Sequence, residues 1–282
     1  MAKKVVITTD STCDLSPELA KRFDIGIIPL TVLFAGESHL DDGSITSDRI
    51  FERYRADGTL PKTAAPGVQQ FEDFFEGYTR QGFEVVHIDL SAELSSTYST
   101  ASLVAGEMDG VYTVDSRSLT TGIGLLALEG ARCRDEGMSA AEIAAHLTEL
   151  RDKVDVSFVL DTLEFMWKGG RCSGVAALGA NLLKLKPAIE MNDGTLAVYK
   201  KYRGNIKAVY KQYIRERLSG RKIRPEHVFI TDSGEVDEQT ITELAELVRE
   251  LTGAREIYHT MAGCTVDAHC GPGTLGVLFI NE

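Results

Sequence analysis

Val85-Val86-His87-Ile88-Asp89-Leu90-Ser91-Ala92-Glu93-Leu94-Ser95-Ser96-Thr97-Tyr98-Ser99-Thr100-Ala101 passes from an apolar run through a hydroxyl-rich loop into helical spacing that Val104, Ala105 and Met108 continue. The apolar run reads as a buried strand and Ser95 as the helix N-cap. The backbone N–H groups of Ser96, Thr97 and Tyr98 then lack intrahelical partners, and their partial positive charge suits a carboxylate or a phosphate. The same residues also fit a plain helix cap, so both readings stand at this point.

Towards the N-terminus, Val5-Val6-Ile7-Thr8 is a first strand, followed by Thr9-Asp10-Ser11-Thr12-Cys13-Asp14. A helix then starts with Ser16 as N-cap and Pro17 at its first position. A second strand is expected over residues 25–34, then a helix from Thr46 or Ser47 that carries Ile50, Phe51 and Tyr54 and stops at Gly58. Pro61, Pro66 and Gly67 make residues 60–67 a loop, and Phe71, Phe74, Phe75 and Tyr78 mark an amphipathic helix. Beyond the opening stretch come a strand ending at Val114, a helix opened by Thr120 to Gly124, and a helix with a Ser139/Glu142 capping box running to about Val154. This alternation predicts an α/β domain over residues 1–156, with a mostly parallel sheet and helices on both faces.

Residues 157–282 read differently. Phe158-Val159-Leu160 is a strand, and the helix after it is broken by Gly169-Gly170. Two strands meet through Asp193-Gly194, a hairpin signal. Asn205 and Asp237 cap helices, and strands are expected around Val228, Ile257 and Val277. A hairpin mixed with crossovers predicts a second α/β domain with a mixed or antiparallel sheet.

Composition removes several function classes. The 282 residues carry a formal net charge of -12, which argues against a nucleic-acid backbone as partner. No apolar run is long enough to span a bilayer and no leader pattern opens the chain, so a cytoplasmic protein is expected. The five cysteines are scattered and do not form a disulfide framework. Cys264 and Cys270 flank His269, but no second pair has zinc-site spacing, so no metal is expected. The glycine signatures of dinucleotide and phosphate loops are absent, so no nucleotide cofactor is expected. Four strand ends carry an Asp with a Ser nearby: Asp10, Asp89, Asp115 and Asp232. The first three are expected on one sheet rim, with Asp10 and Ser11 as the best supports of a site there. Asp115 and Asp232 read chiefly as turn formers.

Five segments occur in an order that identifies a resemblance: Thr9 to Leu15, the opening stretch, Leu163-Glu164-Phe165-Met166-Trp167-Lys168-Gly169-Gly170-Arg171, Lys200-Lys201-Tyr202-Arg203-Gly204 and His269-Cys270-Gly271-Pro272-Gly273. The chain resembles the DegV family of bacterial fatty-acid-binding proteins almost end to end. The resemblance implies two α/β domains with an acyl tunnel at their interface. It also implies a separate ATP-dependent fatty acid kinase subunit, to which the bound acid is presented for acyl-phosphate formation and phospholipid synthesis. Long-chain fatty acid is then the ligand, and transient contact with a membrane belongs to the same picture. Carried over by position, Thr63, Ser95, the Ser96 N–H and His269 are carboxylate partners. Arg171 and Arg203 match arginines tied to kinase docking or to the head group. Two departures stand out: Ala64-Ala65 where the family has Ser-Gln, and Ser96 where it favours Gly. Two other readings remain open on the residues alone. One is a hydrolase or acyltransferase using Ser95 or Ser11 with His269 and an Asp, although no G-x-S-x-G elbow is present. The other is a regulator that binds a small anion.

Overall fold

The computed structural model describes residues 4–172 and 185–282. The chain runs β1 (Lys4–Asp10), α1 (Pro17–Arg22), β2 (Ile25–Ile28), β3 (Thr31–Phe34), β4 (Glu37–Leu40), α2 (Ser47–Asp57), β5 (Lys62–Ala64), α3 (Val68–Thr79), β6 (Phe83–Asp89), α4 (Thr97–Ala105), β7 (Val111–Asp115), α5 (Thr121–Asp135) and α6 (Ala140–Leu150). It continues β8 (Val154–Val159), α7 (Glu164–Gly169), β9 (Lys186–Asn192), β10 (Thr195–Tyr202), α8 (Ile206–Leu218), β11 (His227–Asp232), α9 (Glu238–Thr252), β12 (Glu256–Met261), α10 (Cys264–Cys270) and β13 (Leu275–Ile280).

Three sheets organise these elements. The first is parallel throughout, in the order β2-β1-β6-β7. The second is mixed, in the order β10-β9-β8-β13-β11-β12, with β11 and β12 parallel and the other pairs antiparallel. The third is a small antiparallel sheet, β4-β3-β5.

Strand alternation decides where each helix packs. Val6 and Val85 point to one face of the parallel sheet and meet Phe71 and Phe75 of α3 and Val104 of α4. Ile7 and Val86 point to the other face and meet Ile123 and Leu126 of α5 and Ile143 and Leu147 of α6. The same apolar cluster continues through α5 to Val156, Phe158 and Leu278 of the mixed sheet. Helix α5 is therefore a layer shared by both sheets, and it is apolar nearly all round. Gly122 allows this: a Cβ there would stand 2.4 Å from Val156. The far face of the mixed sheet is covered by Tyr213 and Ile214 of α8 and Leu244 and Val248 of α9.

Several local expectations change. Residues 25–34 are not one strand: Pro29 and Leu30 separate β2 from β3, which belong to different sheets. Lys62–Ala64 is not loop but the short edge strand β5, paired with β3. Helix α6 stops at Leu150, and a 3₁₀ turn covers Arg151–Lys153 before β8 begins at Val154. The hairpin turn is as the sequence predicts, with Asp193 at φ 50° and Gly194 at φ 80°, the left-handed pair that a two-residue connection needs.

Candidate functional site

Strand β6 ends at Asp89, and the next loop is tied down from several directions. The Ser91 carbonyl accepts from the N–H groups of Leu94 (3.0 Å) and Ser95 (3.2 Å). The Ser91 hydroxyl donates to the Gly194 carbonyl at 2.7 Å, joining this loop to the hairpin of the mixed sheet. The Ser95 hydroxyl accepts from the Thr97 N–H at 3.2 Å and pairs with the Thr97 hydroxyl at 2.8 Å. Ser96, not Ser95, is thus the N-cap of α4. The side-chain turn from Ser95 to Thr97 delays the helix by one residue. Among the described residues the Ser96 N–H has no hydrogen-bond acceptor.

Helix α10 approaches from the mixed sheet. Its Val266, His269 and Cys270 share one face by the three- and four-residue spacing of a helix, and that face lines a cavity. The cavity measures about 430 Å³, within the range of small-molecule sites. Thr63, Ser95, Ser96, His269 and Arg171 stand on its wall, and so do Leu90, Leu94, Leu119, Met166 and Leu196. The enclosure is mostly aliphatic with a few polar side chains.

The Thr63 hydroxyl lies 3.1 Å from His269 Nε2. Among the described residues His269 Nδ1 has no partner, and it is buried. An orphaned buried N–H is far rarer than an orphaned lone pair, which assigns the ring proton to Nε2. Nε2–H then donates to Thr63, and the Thr63 hydroxyl keeps its own proton for a ligand. Burial, with the Arg171 guanidinium adding to it, pushes the His269 pKa down to about 4, so the ring is neutral near pH 7. Gly169 of α7 gives the ring its seat: a Cβ there would stand 2.5 Å from Nδ1.

Asp10 and Ser11 do not line the cavity; they hold what does. Asp10 is fully buried and accepts from the Thr12 N–H (2.8 Å), the Thr12 hydroxyl (2.5 Å) and the Leu90 N–H (2.7 Å). It ties the loop after β1 to the loop after β6. Burial, and secondly the Asp89 carboxylate, raise its pKa to about 6. The Ser11 hydroxyl donates to Asp41 at 3.2 Å. Asp41 accepts from the Cys264 N–H (2.9 Å) and the Thr265 N–H (3.1 Å), a carboxylate on the first turn of α10. Asp14 adds a second tie, accepting from the Gly263 N–H at 2.8 Å and the Thr120 hydroxyl at 2.5 Å. Asp115 acts as the expected turn former, accepting from the Ala92 and Arg117 N–H groups.

The two arginines separate. Arg171 lines the cavity, with its guanidinium donating to the Gly169 carbonyl at 2.8 Å. Arg203 follows β10, is exposed and is not part of the wall. Sequence reasoning missed Asp41, Asp14, Gly169 and the helical state of residues 264–270. The glycines at 263 and 271, which flank that helix, are the local sequence signal that could have found it.

His269 pairs with Thr63 and neither Ser95 nor Ser11, whose hydroxyls are bonded to Thr97 and Asp41. Among the described residues the serine-hydrolase reading thus finds no Ser–His pair. Among the described residues one group has metal-ligand types close together, Glu129, Cys133 and His146. Its carboxylate already takes Arg132 at 2.9 Å and Arg224 at 3.5 Å, so the charge a cation would need is spent. No helix of the described residues is long and apolar enough to cross a membrane.

A family model described as "Uncharacterised protein, DegV family COG1307" matches residues 4–282. A DegV domain-containing protein of Clostridium perfringens is 31% identical over 281 residues, covering 99% of this chain and 99% of its own. A DegV family protein from Thermus thermophilus, whose structure is described as showing fatty acid binding, is 30% identical with a TM-score of 0.88, covering 99% of this chain and 100% of its own. The Streptococcus pneumoniae Fatty Acid Kinase (Fak) B3 protein, loaded with linoleic acid, shares the fold at 22% identity and a TM-score of 0.82, covering 100% of each chain.

Proposed function

Because this chain belongs to the DegV family, we propose that it binds a long-chain fatty acid and presents the carboxylate to a separate ATP-dependent kinase subunit. The observation that carries the reading is the aliphatic cavity of about 430 Å³ with Thr63, Ser95 and Ser96 on its wall. A carboxylate buried without donors is costly, and the Thr63 hydroxyl, the Ser95 hydroxyl and the free Ser96 N–H are among the donors this wall offers. His269 acts through Thr63 by fixing which way that hydroxyl points. Asp10 and Ser11 hold the loops that carry these groups. Each buried CH₂ contributes about 0.8 kcal/mol, so the tail supplies most of the affinity and the head-group donors supply orientation.

In this reading Arg171 belongs to the head-group region and Arg203 to the surface that meets the kinase. The acyl-phosphate leaves for phospholipid synthesis in the cytoplasm. Residues 1–156 and 157–282 are the two domains that bound the ligand.

Mass spectrometry of lipid extracted from the purified protein tests the ligand: a long-chain acid is expected, and a protein that carries none and takes up none overturns the reading. Thr63→Ala combined with Ser95→Ala is expected to weaken fatty-acid binding by about 100-fold or more, the loss of two hydrogen bonds to a charged group at roughly 1.5–3 kcal/mol each. Unchanged binding in that double variant removes the head-group assignment. With a fatty acid kinase subunit added, Arg203→Ala should lower acyl-phosphate formation while leaving binding within about twofold.

A further inference from the structure

The hydroxyls on the cavity wall are not alike. Thr12, Thr63, Ser95, Ser96 and Thr265 all line it. The Thr12 hydroxyl is buried and donates to Asp10 at 2.5 Å. The Thr63 hydroxyl is half-buried and accepts from His269 Nε2–H. The Ser95 hydroxyl is bonded to both the N–H and the hydroxyl of Thr97. Thr265 is buried, and its oxygen is shut off from solvent. Ser96 is exposed, and among the described residues its hydroxyl makes no hydrogen bond, not even the bond to a helix N–H that an N-cap serine usually makes. The Cys270 thiol on the same wall is buried, which pushes its pKa up and leaves it protonated. Ser96 Oγ is thus the accessible, uncommitted hydroxyl of this wall.

The hydroxyl and the free N–H belong to one residue, so a carboxylate seated on the Ser96 N–H lies beside Ser96 Oγ. A phosphoryl group delivered to that carboxylate is delivered next to the hydroxyl. We propose that Ser96 is a second phosphoryl acceptor of this site: when the cavity holds no fatty acid, its hydroxyl takes the γ-phosphoryl group of ATP at the kinase subunit, and the phosphoserine closes the carboxylate site. This rests on the fatty-acid and kinase reading and adds a regulation of the same site.

The step balances with ATP as the co-reactant. Ser96 Oγ bonds to the γ-phosphorus, the bond from that phosphorus to the β,γ-bridging oxygen breaks, ADP leaves with the electron pair, and the hydroxyl proton passes to water. Phosphoryl transfer of this kind depends on positioning more than on a strong base, and the exposed hydroxyl has water at hand. The product has partners waiting. The Tyr98 and Ser99 N–H groups at the start of α4 have no acceptor among the described residues, and an N-cap oxygen is what such groups bond. Arg171, on the same cavity wall, spends one N–H on the Gly169 carbonyl and keeps the rest of its guanidinium for an anion. A phosphoserine carries about −1.5 to −2 charges at pH 7, which repels a fatty-acid carboxylate from the same donors.

The test uses the unaltered protein, stripped of lipid, with ATP and a fatty acid kinase subunit, with and without saturating palmitic acid. Acyl-phosphate should form when the acid is present, which checks the underlying reading. Without acid, intact-mass spectrometry should show one added phosphoryl group, and peptide mapping should place it on Ser96. Palmitic acid should suppress the modification about tenfold or more, and the phosphorylated protein should bind the acid about tenfold or more weakly. Ser96→Gly should abolish the modification. Ser99→Ala, which removes a neighbouring hydroxyl bonded to the Ser96 carbonyl at 2.9 Å, should keep it. Acyl-phosphate formation with no phosphoryl group on the acid-free protein, or with one only on another residue, overturns the proposal and leaves the fatty-acid reading standing. A modification of Ser96 that palmitic acid does not suppress overturns the competition for one site. If neither acyl-phosphate nor phosphoserine appears, the kinase reading itself fails and the proposal falls with it.

Discussion

The Ser91–Ser96 loop and helix α10 line the same cavity, and they are held in place in different ways. The hydroxyl-rich end of the loop is held by its own neighbours: Ser91 accepts from Leu94 and Ser95, and Ser95 accepts from Thr97. Four contacts join the loop to other segments: the Ser91 N–H to the Ser118 carbonyl, the Ala92 N–H to Asp115, the Ser91 hydroxyl to Gly194 and the Leu90 N–H to Asp10. Helix α10 has seven residues, too few to be stable alone, and its hold comes from residues distant in sequence. Asp41 and Asp14 accept from its first N–H groups, Gly169 makes room for the His269 ring, and Thr63 accepts a hydrogen bond from Nε2–H. A locally specified wall should tolerate a single polar deletion. A wall assembled from afar should lose its site when any one remote tie is cut.

The sharpest way to break this contrast is Asp41→Ala. It removes the acceptor for the Cys264 and Thr265 N–H groups and the partner of the Ser11 hydroxyl together. A lost helix-cap carboxylate costs about 1–2 kcal/mol, so a clear fall in Tm and a large loss of fatty-acid affinity are expected together. The matching deletion on the loop, Ser95→Ala, should cost only about 0.5–1 kcal/mol of stability, the value of one partly exposed hydrogen bond. Equal destabilisation by the two in denaturant titration would show that the walls do not differ.

The same contrast explains what the sequence made legible. The loop after β6 was readable because its signal is contiguous: an apolar strand, then hydroxyls, then helical spacing. The Asp193-Gly194 turn, the Ser139 capping box and the Asn205 and Asp237 caps were readable for that reason too. The N-cap was misplaced by one residue because Ser95 and Ser96 are equivalent by propensity, and only the bond from Thr97 to Ser95 separates them. Helix α10 was not readable, since seven residues carry under two turns of periodicity and Asp41 lies more than two hundred positions away. Residues 25–34 look like one apolar run, yet Pro29, which has no N–H to donate, marks where the chain leaves one sheet for another. The resemblance brought Thr63 and His269 together before the geometry did, but it gave no sign that the two are hydrogen-bonded to each other.

Gly169→Ala sharpens the contrast at intermediate scale. The new Cβ would lie 2.5 Å from His269 Nδ1, closer than real Cβ contacts allow, so the ring must shift and its bond to Thr63 must lengthen. Helix propensity favours Ala over Gly by about 1 kcal/mol, which offsets part of the cost to stability. Fatty-acid affinity should fall about tenfold with Tm nearly unchanged. Loss of Tm without loss of affinity would mean that α7, not the His269 ring, takes up the strain.

The smallest effect follows from the charge state of His269 on α10. The folded His269 ring takes a proton only near pH 4, whereas an unfolded histidine does so near 6.5. Between these values the unfolded chain binds more protons, so His269 opposes folding increasingly as pH falls from about 6.5 towards 4. Asp10 acts in the opposite sense: with a folded pKa of about 6 against about 3.9 unfolded, it favours folding as pH falls through 6. The two partly cancel in the whole protein, and a single stability curve hides both. His269→Gln keeps a hydrogen-bonding side chain and removes one of them. Between pH 7 and pH 6 the wild type should lose about 0.7 kcal/mol relative to the variant, measured as the change in their stability difference by urea unfolding. A parallel pair of curves over that range would mean that the folded ring titrates like an exposed histidine, and Thr63 would then lose the fixed donor that orients its hydroxyl.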